Sequence, residues 1–293
     1  MKAIYVEYRY QSSFWVSEPL TTAHRPSYIV PPPTTLVGAL SYGIARVLHS
    51  KGRDSAGELE HGTKTSSTFK KLSRIIKHVF YTQLEGYATL VEDITRFFQG
   101  PYIEAENVLN PNMRWGTKIS SKIYLPLAKA AVIYVLSNDV EKQIEPEILL
   151  QGAYSMKRIG SVESLIDVER VELIDVDEKP FDEDLQEAFI DQRIYFYMDV
   201  GSARLDPLNW ILLRLPTHRR LDTWISGDVY RAYTQFLVPA DRNLAKMRIL
   251  TPFTWGPEVV EIIIDKNKHV FDKMNAYIVK IDGKNIVLPH PRE

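Results

Sequence analysis

Three consecutive prolines at residues 31–33 lead directly into the stretch TTLVGALSYG, and this combination strongly constrains the local fold. Proline fixes its own φ and biases the residue before it toward extended backbone, so an extended segment is predicted ahead of the prolines. Thr34 or Thr35 is the expected N-cap of a helix that ends near Lys51. The amides at its start could bind an anion, and its two glycines predict a close approach by another backbone or a ligand. The alternative is a proline-stiffened loop before an ordinary core helix.

The composition is that of a globular protein and excludes several kinds of site. The chain has 293 residues, 45% hydrophobic and 25% charged, which allows one large domain or two modest ones. It contains no cysteine, which excludes disulfides, thiolate metal ligands and cysteine nucleophiles. There is no apolar run long enough to span a bilayer and no secretory pattern at the N-terminus. We therefore expect a cytoplasmic protein without a membrane partner.

Charge is segregated along the chain, although the formal net charge is only −1. Residues 61–81 contain no acid and five lysines or arginines, and residues 107–131 contain no acid and four. Acids dominate from Asp139 to Asp191. A basic face separate from an acidic face is typical of a nucleic-acid-binding protein that also contacts other partners. Ordinary solvated surface is the alternative explanation for any single cluster.

The predicted elements follow the order strand, helix, two strands, helix, strand, with an insertion at about 93–128 between the middle strands. This β-α-β-β-α-β order is that of the ferredoxin-like or RRM-type fold, so the predicted fold class is α+β. The insertion has turn signals and few large apolar residues, and long excursions of this kind are usually functional or disordered. The predicted elements are a strand at 3–16, a loop at 52–68, a helix at 69–80, strands at 80–90 and 130–136, a helix at 145–156 and a strand pair after residue 160.

The sequence changes character after Lys179. We expect one domain at 1–179 and a β-rich C-terminal region at 180–293. Asp282-Gly283 predicts a hairpin turn in that region. Its short strand-like runs are 194–200, 210–215, 233–238, 259–264, 276–281 and 285–288.

The sequence has no evident catalytic or metal-binding motif. Its seven histidines are scattered, and HExxH, GxxxxGK[ST], GxGxxG and GxSxG are all missing from it. The candidates for metal-free RNA cleavage are His24, Tyr28 and Lys118, with Arg25 beside the histidine. A solvated loop histidine is the alternative for His24.

The segment Lys157-Arg158-Ile159-Gly160-Ser161 places two cations before a glycine and a hydroxyl. Backbone amides in a tight turn can hold a phosphate that neighbouring Lys and Arg side chains neutralise. The alternative is a helix C-cap, in which the cations face the helix dipole and Gly160 ends the helix. Both interpretations can hold together.

Two of these segments together resemble the Cas-five family of CRISPR-associated RAMP proteins, in its archaeal type I-A (Apern) form. They are PPPTTLVGAL at the start of the first helix and RIGSVESLIDV after the second, behind the strand AIYVEYRYQSSFW. The resemblance covers about residues 1–175. It implies an RRM-like RAMP core with an inserted β-hairpin thumb. It also implies a subunit that binds the 5′ handle of CRISPR RNA at one end of a type I Cascade complex.

The resemblance further implies partners and RNA-binding residues. The thumb would lie between the guide RNA and the first Cas-seven-type backbone subunit, with its cations on phosphates and Trp115 stacked on a splayed base. The C-terminal region would contact the large Cascade subunit or a backbone subunit, and target DNA would be reached through the complex. The acidic stretch at 167–191 would face solvent or a basic partner. The expected RNA-binding residues are Arg114, Trp115, Lys118, Lys122, Lys157, Arg158, Gly160, Ser161, Thr34, Thr35, His24 and Arg25.

Members of the family differ in whether they catalyse a reaction. Those of the type I-C kind cleave precursor RNA with a Tyr-Lys-His set, whereas a separate endoribonuclease makes the cut for type I-A members. The sequence has no compact Tyr/Lys/His grouping, so we expect a non-catalytic protein with no cofactor and no metal. The alternative is a metal-independent endoribonuclease that processes precursor CRISPR RNA.

Overall fold

The computed structural model describes most of the N-terminal two thirds of the chain and a C-terminal hairpin. The described residues are 1–16, 24–25, 27–28, 30–52, 57–60, 63–86, 89–98, 115–191, 198–199, 210–216, 233–239 and 274–291.

Strands and helices both occur in this part of the chain. The helices are α1 (Pro33–Ser50), α2 (Ser67–Ile75), α3 (Val140–Gln143), α4 (Pro146–Tyr154) and α5 (Glu183–Asp191). The first nine strands are β1 (Lys2–Tyr10), β2 (Ser13–Phe14), β3 (His24–Arg25), β4 (Gly57–Glu60), β5 (Thr63–Ser66), β6 (Ile76–Glu85), β7 (Thr89–Phe98), β8 (Trp115–Tyr124) and β9 (Lys129–Leu136). The others are β10 (Ile166–Pro180), β11 (Met198–Asp199), β12 (Trp210–Pro216), β13 (Tyr233–Pro239), β14 (Met274–Ile281) and β15 (Lys284–Pro291).

The main sheet has six strands in the order β15-β14-β10-β1-β9-β6, and every neighbouring pair is antiparallel. β10 is long because its two halves pair with different strands. The part up to Asp175 pairs with β1, and the part from Val176 onward pairs with β14. The C-terminal hairpin therefore extends the same sheet that the N-terminal strand begins.

The helices α1 and α4 cover one face of this sheet. Alternate residues of β1 point toward them, beginning with Ile4 and Val6, because successive strand side chains point to opposite faces. On α1 the buried residues Leu36, Leu40 and Ile44 recur every four positions and form its core stripe. The helices cross at Gly43 and Gly152, where an added Cβ on either glycine would run into the other helix. The close approach predicted from the α1 glycines is confirmed at Gly43.

The opposite face of the sheet is also buried, because the sheet curls and its two edges meet. Tyr5 and Phe80 on that face belong to the same apolar cluster as Tyr277 of β14. His78 on the edge strand β6 hydrogen-bonds through Nδ1 with the Tyr277 hydroxyl at 3.1 Å. The ring of His290, on the other edge strand β15, stacks on Tyr277 with centroids 3.9 Å apart.

The other strands form three smaller sheets. β7 and β8 make a long antiparallel hairpin, and β2 and β3 pair with the last residues and the middle of β8. β4 pairs with β5, and β13 lies between β11 and β12. The hairpin β7–β8 occupies the position of the predicted insertion, and residues 99–114 between its strands lie outside the described part.

The strand at the N-terminus, the strand at 130–136 and the helix at 145–156 are confirmed by β1, β9 and α4. The predicted hairpin turn is also confirmed, because Asp282 and Gly283 join β14 to β15 with φ of 50° and 77°. Both central residues of a type I′ turn require positive φ. The strand at 259–264 falls outside the described residues, and the division of the chain at residue 179 stays a prediction.

Four local predictions are wrong. The N-cap of α1 is Pro32, since neither threonine caps the helix and Pro33 already occupies its first turn. Residues 57–60 and 63–66 pair as the antiparallel strands β4 and β5 and are not a loop. The helix predicted at 69–80 ends at Ile75, because residues from Ile76 onward pair with the buried strand β9. The strand pair predicted after residue 160 is the single strand β10.

Candidate nucleic-acid interface

A groove of about 500 Å³ lies between α1 and the loop that follows α4. The groove brings together two segments that lie more than a hundred residues apart in the sequence. The start of α1 lines one side, the loop 158–161 lines the other, and the residues after β2 close one end. The lining residues are Trp15, Val16, Thr35, Gly38, Ala39, Tyr42, Arg158, Gly160 and Ser161.

The α1 side of the groove is built from residues three or four positions apart. Thr35, Gly38, Ala39 and Tyr42 share one face of the helix because of this spacing. Gly38 forms a floor without a side chain, and a Cβ placed there would find its nearest neighbour at 4.0 Å, on Phe69. No acidic residue occurs anywhere in α1, so this wall adds no negative charge to the groove.

The loop side is held in place by backbone contacts with the end of the first strand segment. Gly160 has φ of +109°, and an added Cβ would lie 2.7 Å from the Trp15 carbonyl oxygen. The Ser161 amide donates to that same oxygen at 3.0 Å, and the Ser161 hydroxyl hydrogen-bonds with the Ser164 hydroxyl at 3.1 Å. The Ser161 amide is therefore already used, and an anion in the groove would be met by side chains.

The helix C-cap interpretation of this segment is wrong. The helix α4 ends at Tyr154 with Ser155 as its C-cap, and Gly160 lies well beyond that end. Arg158 instead forms an isolated antiparallel bridge with Leu165, which turns the loop back toward β10. The cations of the segment are thus presented by a loop and not by a helix terminus.

Two arginines flank one exposed tyrosine at the rim of the groove. Tyr42 is 46% exposed, and the guanidinium carbons of Arg46 and Arg158 each lie 5.8 Å from its ring centroid, within the range of cation–π contact. Among the described residues, neither arginine forms an ion pair with a carboxylate. Two exposed cations and a half-exposed aromatic ring therefore lie beside an open groove.

Lys122 is already engaged by protein groups. Its Nζ donates to Glu163 Oε2 at 2.9 Å and lies 5.5 Å from the centroid of the Trp15 ring. The lysine therefore ties the hairpin β7–β8 to the loop that lines the groove. Lys157, by contrast, is exposed next to Arg158.

The other predicted site residues are placed less completely. Arg114 lies outside the described residues, and Trp115 and Lys118 are described only by their backbone in β8. His24 and Arg25 form β3, which pairs in parallel with Ile119 and Ser120 of β8. Thr34 is half-buried in the first turn of α1.

Tyr42 and Arg46 were missed by the sequence reasoning. Their signal was available in principle, because an aromatic and an arginine four residues apart share a helix face with Gly38. The sequence does not indicate that Arg158 joins them. Tyr28, a candidate for cleavage chemistry, is only 6% exposed and belongs to the main core.

Among the described residues, the groups with shifted pKa values lie elsewhere, on strands of the main sheet. Burial raises the pKa of Glu7, but hydrogen bonds from Lys129 and Tyr5 and the charges of Lys129 and Arg170 outweigh it and bring the pKa below its ordinary value. The hydrogen bond to Glu7 raises the pKa of Lys129. Burial raises the pKa of Tyr134, whose hydroxyl donates to a backbone carbonyl of α1.

The described residues contain no cluster of three or more His, Asp or Glu side chains arranged to hold a metal ion. None of the helices formed by these residues is both long and apolar enough to cross a bilayer.

No protein-family model matches the chain. The chain is similar to proteins of the archaeon Saccharolobus solfataricus. It is 31% identical to the CRISPR system aCascade subunit Cas5 1 over 160 residues, which are 55% of this chain and 60% of that protein. It is 29% identical to CRISPR-associated protein Cas5 3 over 161 residues, and 27% identical to Cas5 2 over 187 residues. The chain thus resembles the Cas5 family of CRISPR-associated proteins.

The match to these Cas5 relatives is partial, because the first two are covered over 60% of their length. Similar solved structures include a CRISPR protein from Archaeoglobus fulgidus, with a TM-score of 0.45, 14% identity and full coverage of both chains. A CRISPR RNA-guided surveillance complex chain has a TM-score of 0.38 and 12% identity, over 81% of this chain and 89% of its own.

Proposed function

We propose that this chain is a Cas5 protein and a non-catalytic subunit of a type I Cascade complex. In this proposal it binds the 5′ handle of CRISPR RNA and caps one end of the filament of backbone subunits. The observation that carries the proposal is the groove between α1 and the loop 158–161, where Arg46 and Arg158 flank Tyr42. This groove joins the two segments on which the family resemblance rests.

The chemistry of the groove suits a single RNA strand better than a duplex. An exposed aromatic ring can stack on an unpaired base, and unpaired arginines can neutralise the adjacent phosphates. In a duplex the bases are already stacked on one another and unavailable to Tyr42. Stacking on one base contributes about 1–3 kcal/mol, so Tyr42 alone would account for a sizeable part of the affinity.

The architecture supports the same proposal. The chain order β1-α1-β6-β9-α4-β10, with β10-β1-β9-β6 side by side, supports a ferredoxin-like, RRM-type RAMP core over about residues 1–179. We assign the thumb to the hairpin β7–β8 and its connecting residues. The salt bridge from Lys122 to Glu163 joins this hairpin to the groove loop, so RNA in the groove would run beside the thumb.

The remaining RNA contacts belong to the proposal as well. Lys157, Gly160 and Ser161 would line the path of the RNA, and the helix start at Thr34 and Thr35 would face a phosphate. The backbone and large subunits of Cascade would be the protein partners, and target DNA would be reached through the complex. The thumb and the adjacent strand β3 would contribute Arg114, Trp115, Lys118, Lys122, His24 and Arg25.

The test is a titration of labelled repeat-derived RNA at several salt concentrations, with the Arg46→Ala, Arg158→Ala double variant. Each phosphate contact to a single strand contributes about 0.7 to the slope of log affinity against log salt, so removing two contacts flattens that slope by about 1.4. We expect the affinity to fall on the order of ten-fold or more at low salt.

A matched control removes two cations from a different surface. Lys280 and Lys284 are exposed on the C-terminal hairpin, and their double alanine variant loses the same net charge. The proposal requires RNA binding and salt slope to stay near wild type in this control. Equal losses in both double variants would mean that net charge, and not the groove, holds the RNA.

Incubation of the chain with precursor repeat RNA in EDTA tests the non-catalytic part of the proposal. Tyr28 is buried, which leaves the cleavage set proposed from the sequence without an accessible tyrosine. The expected result is intact RNA. A discrete cleavage product that disappears in the His24→Ala variant would replace the proposal with the endoribonuclease alternative.

A further inference from the structure

A second exposed surface lies at the end of the main sheet, next to the groove but different in chemistry. Four large apolar side chains are exposed there, and we call them the sheet-end patch. They are Tyr124 (41% exposed), Leu127 (64%), Val162 (75%) and Leu165 (42%).

The strand register brings Leu127 and Leu165 of the sheet-end patch close to each other. Arg9 of β1 pairs with Lys129 on one side and Asp167 on the other. Two residues further on, the same antiparallel registers place Leu127 and Leu165 on either side of Gln11, about 10 Å apart at two strand spacings. The backbone amide of Gln11 donates to the Leu165 carbonyl at 3.1 Å, which confirms that Leu165 lies beside Gln11.

Leu127 adopts a backbone conformation that leucine disfavours. Its φ is +55°, and it follows Pro126 in a turn closed by the Ala128 amide, which donates to the Leu125 carbonyl at 3.1 Å. A β-turn that has proline at its second position and a positive φ at its third position normally carries glycine or asparagine at that third position. The chain thus combines a strained backbone with an exposed apolar side chain at one residue, and neither feature helps the isolated fold.

The charged groups beside Gln11 are either paired within the chain or negative. Arg9 is paired with Glu169 at 2.8 Å, and Lys122 with Glu163 at 2.9 Å. Asp167 is exposed and receives two hydrogen bonds from the Gln11 side chain, and among the described residues it has no cationic partner. The part of this surface beside Gln11 therefore offers apolar contact and the negative charge of Asp167, whereas the exposed cations Lys157 and Arg158 lie at its border with the groove.

We propose that the sheet-end patch docks a protein subunit that provides an apolar socket for Leu127 and a Lys or Arg side chain opposite Asp167. The proposal rests on the proposed function, because the partner would be a neighbouring protein of the same complex. Groove and patch meet at the bridge between Arg158 and Leu165, so one end of the chain would hold RNA and protein side by side. The exposed leucine would then be buried in the assembly, which would explain why its strained conformation is kept.

The test uses the full-length chain co-expressed with the backbone and large subunits from the same CRISPR locus. The Leu127→Asn variant removes the apolar anchor and suits the positive φ, so its unfolding midpoint is expected to equal or exceed that of wild type. The Asp167→Lys variant reverses the charge. Its control is Asp175→Lys, the same change at an exposed aspartate on the same strand β10.

The expected result is at least ten-fold less capture of the neighbouring subunit by Leu127→Asn and by Asp167→Lys, with capture by Asp175→Lys unchanged. RNA affinity of the isolated Leu127→Asn chain should stay within two-fold of wild type, which separates this proposal from the groove. Unchanged subunit capture would overturn it. Loss of RNA affinity in Leu127→Asn would make the patch an RNA surface and also overturn it. Self-association of the isolated wild-type chain that Leu127→Asn abolishes would overturn it by making the occupant a second copy.

Discussion

Gly43 marks the point where α1 and α4 are closest, and the Gly43→Ala substitution tests whether that crossing holds the groove. A Cβ at residue 43 would lie 3.0 Å from the Gly152 carbonyl carbon and closer still to its oxygen, whereas ordinary contact begins at 3.4 Å. Both groups belong to backbone, so rotation of a side chain cannot relieve the overlap. The helices must separate, and α1 would carry Tyr42 away from Arg158.

The magnitude follows from two opposing effects. Alanine gains about 1 kcal/mol over glycine in a helix interior, whereas overpacking at a close contact costs about 1–3 kcal/mol. Because the overlap here is with a rigid backbone, we take the upper end of that cost and expect a net loss of about 2 kcal/mol in unfolding free energy. Urea unfolding followed by circular dichroism measures it.

The Gly38→Ala variant is the matched comparison, because residue 38 lies on the same helix with open space around it. Its Cβ would meet only Phe69, at 4.0 Å, so the helix gains about 0.5–1 kcal/mol without a clash. The added methyl would also narrow the groove, so RNA should bind more weakly to a more stable protein. The reasoning is refuted if Gly43→Ala unfolds at the same urea concentration as wild type or higher.

Two further predictions concern single residues. The free energy of unfolding of the Glu7→Gln variant should be about 2 kcal/mol lower than that of wild type at neutral pH, because Lys129 and Arg170 lose a charged hydrogen-bond acceptor. Since the pKa of Glu7 is lowered in the fold, its contribution is present above the ordinary glutamate pKa and disappears as pH falls through the lowered value. The difference in unfolding free energy between wild type and variant should therefore shrink in acid, and a constant difference from pH 7 to pH 2 would contradict this account. The Gly160→Ala substitution should lower the free energy of unfolding by about 1–3 kcal/mol and also weaken RNA binding. The reason is that the φ of +109° and the nearby Trp15 carbonyl leave no room for a Cβ. RNA affinity measured below the unfolding temperature checks the second effect.

The elements that the sequence predicted well are those with a strong local signal. β9 is predictable as a strand because seven consecutive residues from Ala130 are apolar, and all seven are fully buried in a strand that lies between two neighbouring strands. α4 begins at Pro146, where proline fits the first helical turn. In these elements the local preference and the tertiary environment agree.

The wrong predictions arose where tertiary pairing overrides the local pattern. Residues from Ile76 onward have helical spacing, but pairing with β9 makes them strand. The groove could be anticipated only as two separate segments. The contact between Tyr42 and Arg158 joins residues more than a hundred positions apart, and nothing in either segment specifies the other.

The stacking of His290 on Tyr277 and the bond of Tyr277 to His78 have a consequence for how the protein is made. Val279 of β14 pairs with Val176, so the hairpin must pair with a strand that was made roughly a hundred residues earlier. Until they arrive, Tyr5 and Phe80 face water on an uncovered sheet, in a nascent chain vulnerable to aggregation. Synthesis of the hairpin 274–291 is thus the step that ends this exposure, and chaperone assistance would be most valuable before that hairpin is made.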